Sequence, residues 1–184
     1  NKAEQMVLDV SGQTQSESSF APISEIVLSN LDKLNALQQH DGAITGVPTG
    51  FKDVDHVFNG LQKSDLILVA ARPAMGKTAF TLNIAQNVTM MYDKTVAFFS
   101  LEMGKEQLVA RILSSVAGVS SEKLRRAYNM DPTDWEKVIA AADRMSKAKL
   151  FIDDTPGLTV QDMRSKLRRL KVEHGLDLVI VDYI

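Results

Sequence analysis

Six consecutive apolar residues, Leu66 to Ala71, lead directly into a short loop that ends in Gly76-Lys77-Thr78. Apolar residues then recur at helical spacing as far as Met91. A short apolar run followed by a loop and an amphipathic helix is typical of a strand–helix unit in a parallel sheet. The run is far shorter than the roughly 20 residues needed to cross a bilayer, which excludes a membrane span. The run is therefore predicted to be a buried strand.

The chain beyond this strand alternates between the two patterns. Strands are predicted at 66–70, 95–100, 150–153 and 178–181, and helices at about 77–91, 105–117, 133–146 and 159–173. Uninterrupted apolar strands are characteristic of a parallel sheet whose two faces are both covered by helices. The predicted fold class is therefore α/β, a mostly parallel sheet flanked by helices, with residues 43–184 forming the domain.

The loop Ala71-Arg72-Pro73-Ala74-Met75-Gly76-Lys77-Thr78 is a Walker A phosphate-binding sequence in which alanine replaces the first glycine. In this motif, backbone N–H groups of the loop and of the helix N-terminus bind phosphate oxygens. Lys77 is expected to reach the β- and γ-phosphates, and the Thr78 hydroxyl to ligate Mg²⁺. The alternative is an ordinary loop with Thr78 as a helix cap. In that case the positive charge of Lys77 in the first helical turn interacts unfavourably with the helix dipole, at a cost of ~0.3–1 kcal/mol in stability. The sequence therefore predicts that residues 71–78 bind a nucleoside triphosphate, taken to be ATP, with Mg²⁺.

Acidic residues follow three of the predicted strands: Glu102, Asp153 and Asp182. Ligands of open α/β sheets bind at the carboxyl ends of the strands, so these residues are candidates for catalysis and metal binding. Asp182 follows four apolar residues, which is the Walker B pattern of a Mg²⁺ ligand. Asp153 has a shorter apolar lead and stands in a turn-forming sequence, so Asp182 is the preferred metal ligand. Glu102 is a candidate general base, and its alternative interpretation is a solvated loop acid.

The balance of charge gives no overall attraction to nucleic acid. Lys and Arg number 21 against 23 Asp and Glu, a formal net charge of -2, so any contact with a polyanion must be local. The chain has no cysteine, which excludes a disulfide framework and thiolate metal sites. The N-terminus lacks an apolar signal core, and a cytoplasmic protein is expected.

The two ends of the chain carry separate expectations. Residues 11–19 are polar and without periodicity, which predicts that residues 1–19 end in a flexible linker. A helix is predicted within 20–42, with one narrow apolar stripe formed by Ile23, Val27, Leu31, Leu34 and Leu37. The stripe needs a partner surface, in its own domain or in a neighbouring subunit. The chain stops after the fourth predicted strand without a closing helix, so we expect a domain truncated at its C-terminal end.

Four motifs follow one another between residue 45 and the C-terminus: Thr45-Gly46-Val47-Pro48-Thr49-Gly50-Phe51, Ala70 to Thr78, Ser100-Leu101-Glu102-Met103 and Val179-Ile180-Val181-Asp182-Tyr183. Together, and in this order, they resemble the DnaB family of bacterial replicative helicases. The alanine at position 71 resembles the family's own version of Walker A. The resemblance extends from about residue 20 to the end of the chain.

The resemblance implies a RecA-like core that assembles into a ring-shaped homo-hexamer, hydrolyses ATP between subunits and moves 5′ to 3′ along single-stranded DNA at a replication fork. It implies that Glu102 is the catalytic glutamate, and Lys77 is the second residue expected to take part in catalysis. By the same resemblance, residues 1–10 are the remnant of an N-terminal domain, and the helix within 20–42 docks on the adjacent subunit. Primase and a helicase loader are the implied partners, with no membrane involved. The family's trans-acting arginine and DNA-binding loops lie past Walker B, so the 184-residue chain alone is expected to hydrolyse ATP poorly.

Two other functions stay open at this point. Another RecA-like ATPase, of recombination or repair, would share the phosphate chemistry, and only the motifs at 45–51 and 100–103 favour the helicase. A non-catalytic nucleotide-binding or assembly module is the other alternative, against which the presence of Glu102 argues. The basic residues between Arg164 and Lys171 are interpreted as a solvated helix face, because charge runs on helices are usually solvated, and a contact with DNA or another subunit is the alternative.

Overall fold

The chain divides into two units, residues 1–43 and 44–184. A computed structural model describes residues 22–39, 44–127 and 129–183. The first unit contains the helix α1 (Ile23–Gln39). The second unit contains, in chain order, α2 (Lys52–Phe58), α3 (Lys77–Met91), β1 (Val96–Ser100), α4 (Lys105–Ala117), α5 (Ser121–Arg126), α6 (Pro132–Ser146), β2 (Leu150–Asp153), α7 (Val160–His174) and β3 (Leu178–Asp182). Each helix in the described ranges is too short or too polar to span a bilayer.

The three strands form one parallel sheet in the order β2-β1-β3. β1 is the central strand, and all five of its residues are buried. Its last residue, Ser100, lies opposite Asp182 of β3, and Phe99 lies opposite Asp153 of β2. All three strands therefore end at the same edge, and the predicted α/β class, a parallel sheet flanked by helices, is confirmed.

The core lies where α3 and α4 pack against the sheet. α3 contacts all three strands and α4. The largest fully buried side chains of this core include Phe98, Leu108 and Val88, one each from β1, α4 and α3. Burial of such side chains stabilises the fold by about 1.5–3 kcal/mol each, and it fixes the start of α3 relative to the strand ends.

The predicted strand at 66–70 is wrong for this structure. The segment lies outside any helix or strand, and Leu66 and Leu68 are 87% and 83% exposed. An apolar run becomes a strand only when its backbone N–H and C=O groups find a partner strand. In the described part of the chain no strand pairs with this segment, so its apolar composition alone is not enough to make it a strand.

The helix α7 is held to the sheet by polar contacts. Lys166 Nζ lies 2.6 Å from Asp153 Oδ2, at the end of β2. At the other end of α7, the Thr95 hydroxyl donates to the His174 carbonyl over 3.2 Å, and the His174 ring stacks on Phe151. A cleft of about 180 Å³ remains between α7 and the sheet. The Asp153–Lys166 pair is therefore one of the contacts that hold α7 to the sheet.

The same contacts set the charge state of Asp153. Partial burial acts to raise the pKa of this carboxyl group, but hydrogen bonds from Lys166 and from the Thr155 hydroxyl and N–H outweigh it. The pKa is lowered to about 2 from its usual 3.8. Asp153 is therefore ionised in the folded protein at any pH near neutrality.

Acidification should weaken the fold through Asp153. Because its pKa is lower in the folded protein than in the unfolded chain, its contribution is complete above about pH 4 and is lost as the pH falls toward 2, amounting to at most about 2 kcal/mol. Urea unfolding as a function of pH measures this loss. Lys166→Met keeps the length of the side chain but removes the ion pair, so the variant should lose less stability than the wild type over the same range. Equal losses in both proteins would contradict this role of the pair.

Candidate active site

The predicted phosphate-binding loop is exposed and leads into the first residue of α3. Ala74 (φ 64°) and Gly76 (φ 87°) both adopt the left-handed backbone conformation, and the Met75 N–H donates to the Arg72 carbonyl over 3.2 Å. A Cβ atom at Gly76 would meet nothing within 4 Å, so the backbone conformation, and not crowding, favours glycine there. The first N–H groups of a helix have no partner inside it, which makes the start of α3 suited to an anion.

The end of β3 meets the start of α3 at Asp182. The Thr78 hydroxyl donates to Asp182 Oδ2 over 2.6 Å, across 104 residues of chain. Lys77 Nζ lies 3.1 Å from Asp182 Oδ1 and 4.1 Å from the centre of the Tyr183 ring. Asp182 is only 3% exposed, and a carboxylate buried to that degree requires a partner charge and hydrogen bonds. Lys77 and Thr78 supply both.

The chemistry of this cluster fits a magnesium ion next to a phosphate. A carboxylate and a hydroxyl are the hard oxygen ligands that Mg²⁺ takes from proteins, usually one or two of them together with substrate phosphates. Thr78 and Asp182 present these two oxygens within hydrogen-bonding distance of each other. Across the described ranges, no three His, Cys, Asp or Glu side chains come together as a metal site. The described residues thus offer a partial ligand set, which phosphate oxygens and water would complete.

Glu102 lies on the loop that follows β1. Ser100 is paired with Asp182 in the sheet, and the Leu101 N–H donates to the Asp182 carbonyl over 2.8 Å. Glu102 is therefore two residues past a position that is directly beside Asp182, at the same edge of the sheet. Its side chain is exposed. A carboxylate in this position can accept a proton from a water molecule at the same edge.

Asp153 lies away from this cluster. β2 and β3 flank opposite sides of β1, so a whole strand separates Asp153 from Asp182. Its carboxylate is also engaged by Lys166 and Thr155. Of the two acids weighed as the metal ligand, Asp182 is the one beside Thr78.

The motif at 45–51 contacts α3 at two points, its fourth residue Phe80 and, further along, Asn87. Asn87 of α3 donates to the Thr49 carbonyl over 3.1 Å, and the Phe51 and Phe80 rings lie 5.1 Å apart. Thr49 is held in turn by the buried Asp55, which accepts from both its N–H and its hydroxyl. These contacts fix the helix whose first two residues carry the lysine and the threonine of the site.

Sequence reasoning missed several residues that hold the site. Tyr183 follows directly after the Walker B aspartate, and its ring lies against Lys77. Ser100 and Asp154 contact the loop of Glu102. Their positions at the ends of predicted strands were a signal, since such positions meet at one edge. Their partners could not be inferred, because the Asp154 contact joins residues 49 apart in the chain.

Comparison with known proteins gives one consistent family. Residues 46–184 match the DnaB-like helicase C-terminal domain. The replicative DNA helicase DnaC of Bacillus subtilis is 44% identical over 184 residues, which cover all of this chain and 40% of that protein. The replicative DNA helicase DnaB of Haemophilus influenzae is 44% identical over 164 residues, covering 88% of this chain and 35% of that protein. The chain thus spans less than half the length of these curated relatives.

Solved structures agree with the sequence comparison. One is an ATPase domain with a TM-score of 0.81 and 33% identity, covering 90% of this chain and 58% of that one. Another is a DnaB-like replicative helicase, described together with its interactions with primase; it has a TM-score of 0.77 and 32% identity over 98% of this chain and 42% of that one.

The family match includes the phosphate-binding loop, Glu102 and Asp182, and it continues to the last residue of the chain. Together with the shared fold, it shows that this chain belongs to the DnaB-like helicase family, as part of its C-terminal ATPase domain.

Proposed function

We propose that this chain carries the ATP-binding and hydrolysing site of a replicative DNA helicase motor. The observation that supports it most is the cluster in which Thr78 and Lys77, at the start of α3, both contact the buried Asp182. If these three side chains only stabilised the fold, nothing would explain why they are preceded by an exposed loop in which two residues have the left-handed backbone conformation. A phosphate-binding loop requires such a backbone.

In this proposal, the triphosphate of ATP lies along residues 71–78. Backbone N–H groups of the loop and of the first turn of α3 bind its oxygens, where the helix dipole favours an anion. Lys77 moves from Asp182 toward the β- and γ-phosphates, a shift that its flexible four-carbon stem allows. Thr78 and Asp182 hold Mg²⁺, Asp182 directly or through water. A magnesium ion held by Thr78 and Asp182 would supply positive charge against the negative charge that develops on the phosphates.

Glu102 acts on the attacking water in the chemical step. Its carboxylate accepts a proton from the water as the water oxygen bonds to the γ-phosphorus. The bond between that phosphorus and the bridging oxygen of ADP breaks, and ADP and inorganic phosphate are the products. The exposure of Glu102 leaves the carboxylate accessible to this water.

Membership of the family supports a proposal for the wider assembly. The relatives are replicative DNA helicases, and we propose that this chain works within a homo-hexamer that moves along single-stranded DNA. Primase is a partner candidate because one related structure is described with its interactions with primase; a helicase loader is proposed on family resemblance alone. We further propose that α1 docks on a neighbouring subunit. Its apolar side chains Ile23, Val27, Leu31 and Leu34 are each about half or more exposed, and such a stripe is stable in water only when a partner covers it.

Two substitutions separate binding from chemistry. Lys77→Ala in the full-length protein should weaken ATP binding and remove turnover, since the lysine is proposed to contact the phosphates both in bound ATP and in the transition state of hydrolysis. Glu102→Gln should leave ATP affinity unchanged and lower turnover by about 10²–10⁴-fold, the usual contribution of a positioned base. Equilibrium binding of a fluorescent ATP analogue and steady-state phosphate release measure the two quantities. Turnover at the wild-type rate in Glu102→Gln would refute the role of Glu102, and wild-type affinity in Lys77→Ala would refute the phosphate site.

A charge on the apolar stripe of α1 should weaken assembly. Leu31→Asp in the full-length protein should shift the hexamer toward smaller species at low micromolar concentration, because an unpaired carboxylate in an apolar interface costs several kcal/mol. Ser29→Asp is the control, since it adds the same charge to the opposite side of the helix. Analytical ultracentrifugation measures the outcome. An intact hexamer in Leu31→Asp would count against docking of α1 on a neighbouring subunit.

A further inference from the structure

The loop that carries Glu102 is fastened at both of its ends. At the β1 end, the buried Ser100 hydroxyl donates to the Met103 carbonyl over 2.6 Å and accepts from the Met103 N–H over 3.2 Å. At the α4 end, the Lys105 N–H donates to Asp154 Oδ2 over 3.0 Å. Glu102 thus sits on a short span whose two attachments are side chains from outside the span itself.

The attachment at the α4 end replaces a helix cap that the sequence lacks. Gly104 is the N-cap residue of α4 and has no side chain to accept from the first N–H groups. An N-cap side chain is usually Ser, Thr, Asp or Asn. Asp154, in the loop after β2, accepts from the first of these N–H groups, that of Lys105, which lies 49 residues away in the chain. A side-chain cap at position 104 would stabilise the helix without tying it to β2, whereas Asp154 does both.

Asp154 is well fixed for such a function. The preceding residue, Asp153, pairs with Phe99 in the sheet, and its carboxylate is held by Lys166 and Thr155. The backbone and side-chain hydrogen bonds from Lys105 keep the pKa of Asp154 below its usual value, so the carboxylate is charged near neutrality. The two adjacent acids therefore divide their contacts, Asp153 toward α7 and Asp154 toward α4.

We propose that Asp154 is a positioning residue for Glu102: by tying the first residue of α4 to the end of β2, it holds the Glu102 loop where the carboxylate meets the attacking water. The inference rests on the proposed role of Glu102 as the base. It assigns to Asp154 an effect on the rate of the chemical step, distinct from the stability that any helix cap provides. Displacement of a reacting group by about 1 Å is enough to lower a rate about 10²-fold.

A second substitution separates positioning from capping. Asp154→Ala removes the tether together with the cap. Gly104→Ser supplies only a cap, because an N-cap hydroxyl accepts from the N–H of the second or third helical residue and makes no contact with β2. Gly104 has the extended backbone (φ -64°, ψ 146°) typical of an N-cap residue, and a Cβ there meets nothing closer than 3.9 Å. Lys105→Met is the control for the surface ion pair, since it removes the contact between Lys105 Nζ and Asp154 Oδ1, 3.2 Å apart, and leaves the backbone bond in place.

The test measures kcat, KM for ATP and melting temperature in the full-length protein. Asp154→Ala should lower kcat by about tenfold to a hundredfold with KM unchanged, and lower the melting temperature. In Asp154→Ala with Gly104→Ser, the melting temperature should recover while kcat stays low. Asp154→Asn, whose amide oxygen still accepts from the Lys105 N–H, and Lys105→Met should both keep kcat within about threefold of the wild type.

Each other outcome overturns a defined part of the proposal. If Gly104→Ser restores kcat along with the melting temperature, Asp154 acts only as a cap and the inference is wrong. It is equally wrong if Asp154→Ala keeps the wild-type kcat, or changes KM alone. If Asp154→Ala alone does not fold, the double variant carries the same test. Glu102→Gln is measured in parallel: normal turnover there would overturn the proposed base itself, whereas an inactive Glu102→Gln beside a normal Asp154→Ala overturns the positioning role alone.

Discussion

The buried carboxylate of Asp182 determines the geometry of the whole site. A carboxylate with so little exposure is stable only with a cation and donors beside it, and Lys77 and Thr78 meet that requirement. Both residues belong to the first turn of α3, so the need to neutralise Asp182 ties the start of this helix to the end of β3. The same three side chains are those that a magnesium–phosphate complex requires. In the proposed mechanism, the contact that stabilises the fold is thus also the contact that prepares the site.

The parallel sheet brings the remaining groups to the same place. β1 lies between β2 and β3, and the three strands end together. Glu102 follows β1, Asp182 ends β3, and Asp154 follows β2. In the proposed mechanism each strand therefore delivers one acid with its own role, as the base, the metal ligand or the support of the base. Because these roles are spread over different strands, a small shift of one strand changes the geometry of the site without unfolding the domain.

The sequence was sufficient to predict the elements with a strong local signal. The helices at 77–91 and 105–117 begin and end where the spacing predicted, and β2 matches its predicted range. The acids at the strand ends were found because parallel strands finish at one edge. The sequence did not predict α2 and α5, which have 7 and 6 residues and are too short for a helical period to be recognised. It misjudged 66–70, because an apolar run does not report whether a partner strand is present. It also missed the contact of Asp154 with Lys105, since a single acid in a turn gives no indication of a distant backbone partner.

The most direct measurement of the central claim is the effect of Mg²⁺ on ATP affinity in a double-mutant cycle of Thr78→Ala and Asp182→Asn. If the hydroxyl and the carboxylate hold one ion, the factor by which Mg²⁺ raises ATP affinity should be about tenfold smaller in each single variant. The double variant should show a factor little smaller than that of either single variant, because the effects of residues that act as one unit are not additive. Affinity without Mg²⁺ should change much less in all three. Full retention of the Mg²⁺ effect in Asp182→Asn, or losses that simply add in the double variant, would show that Asp182 and Thr78 do not share a metal ion and would contradict the account.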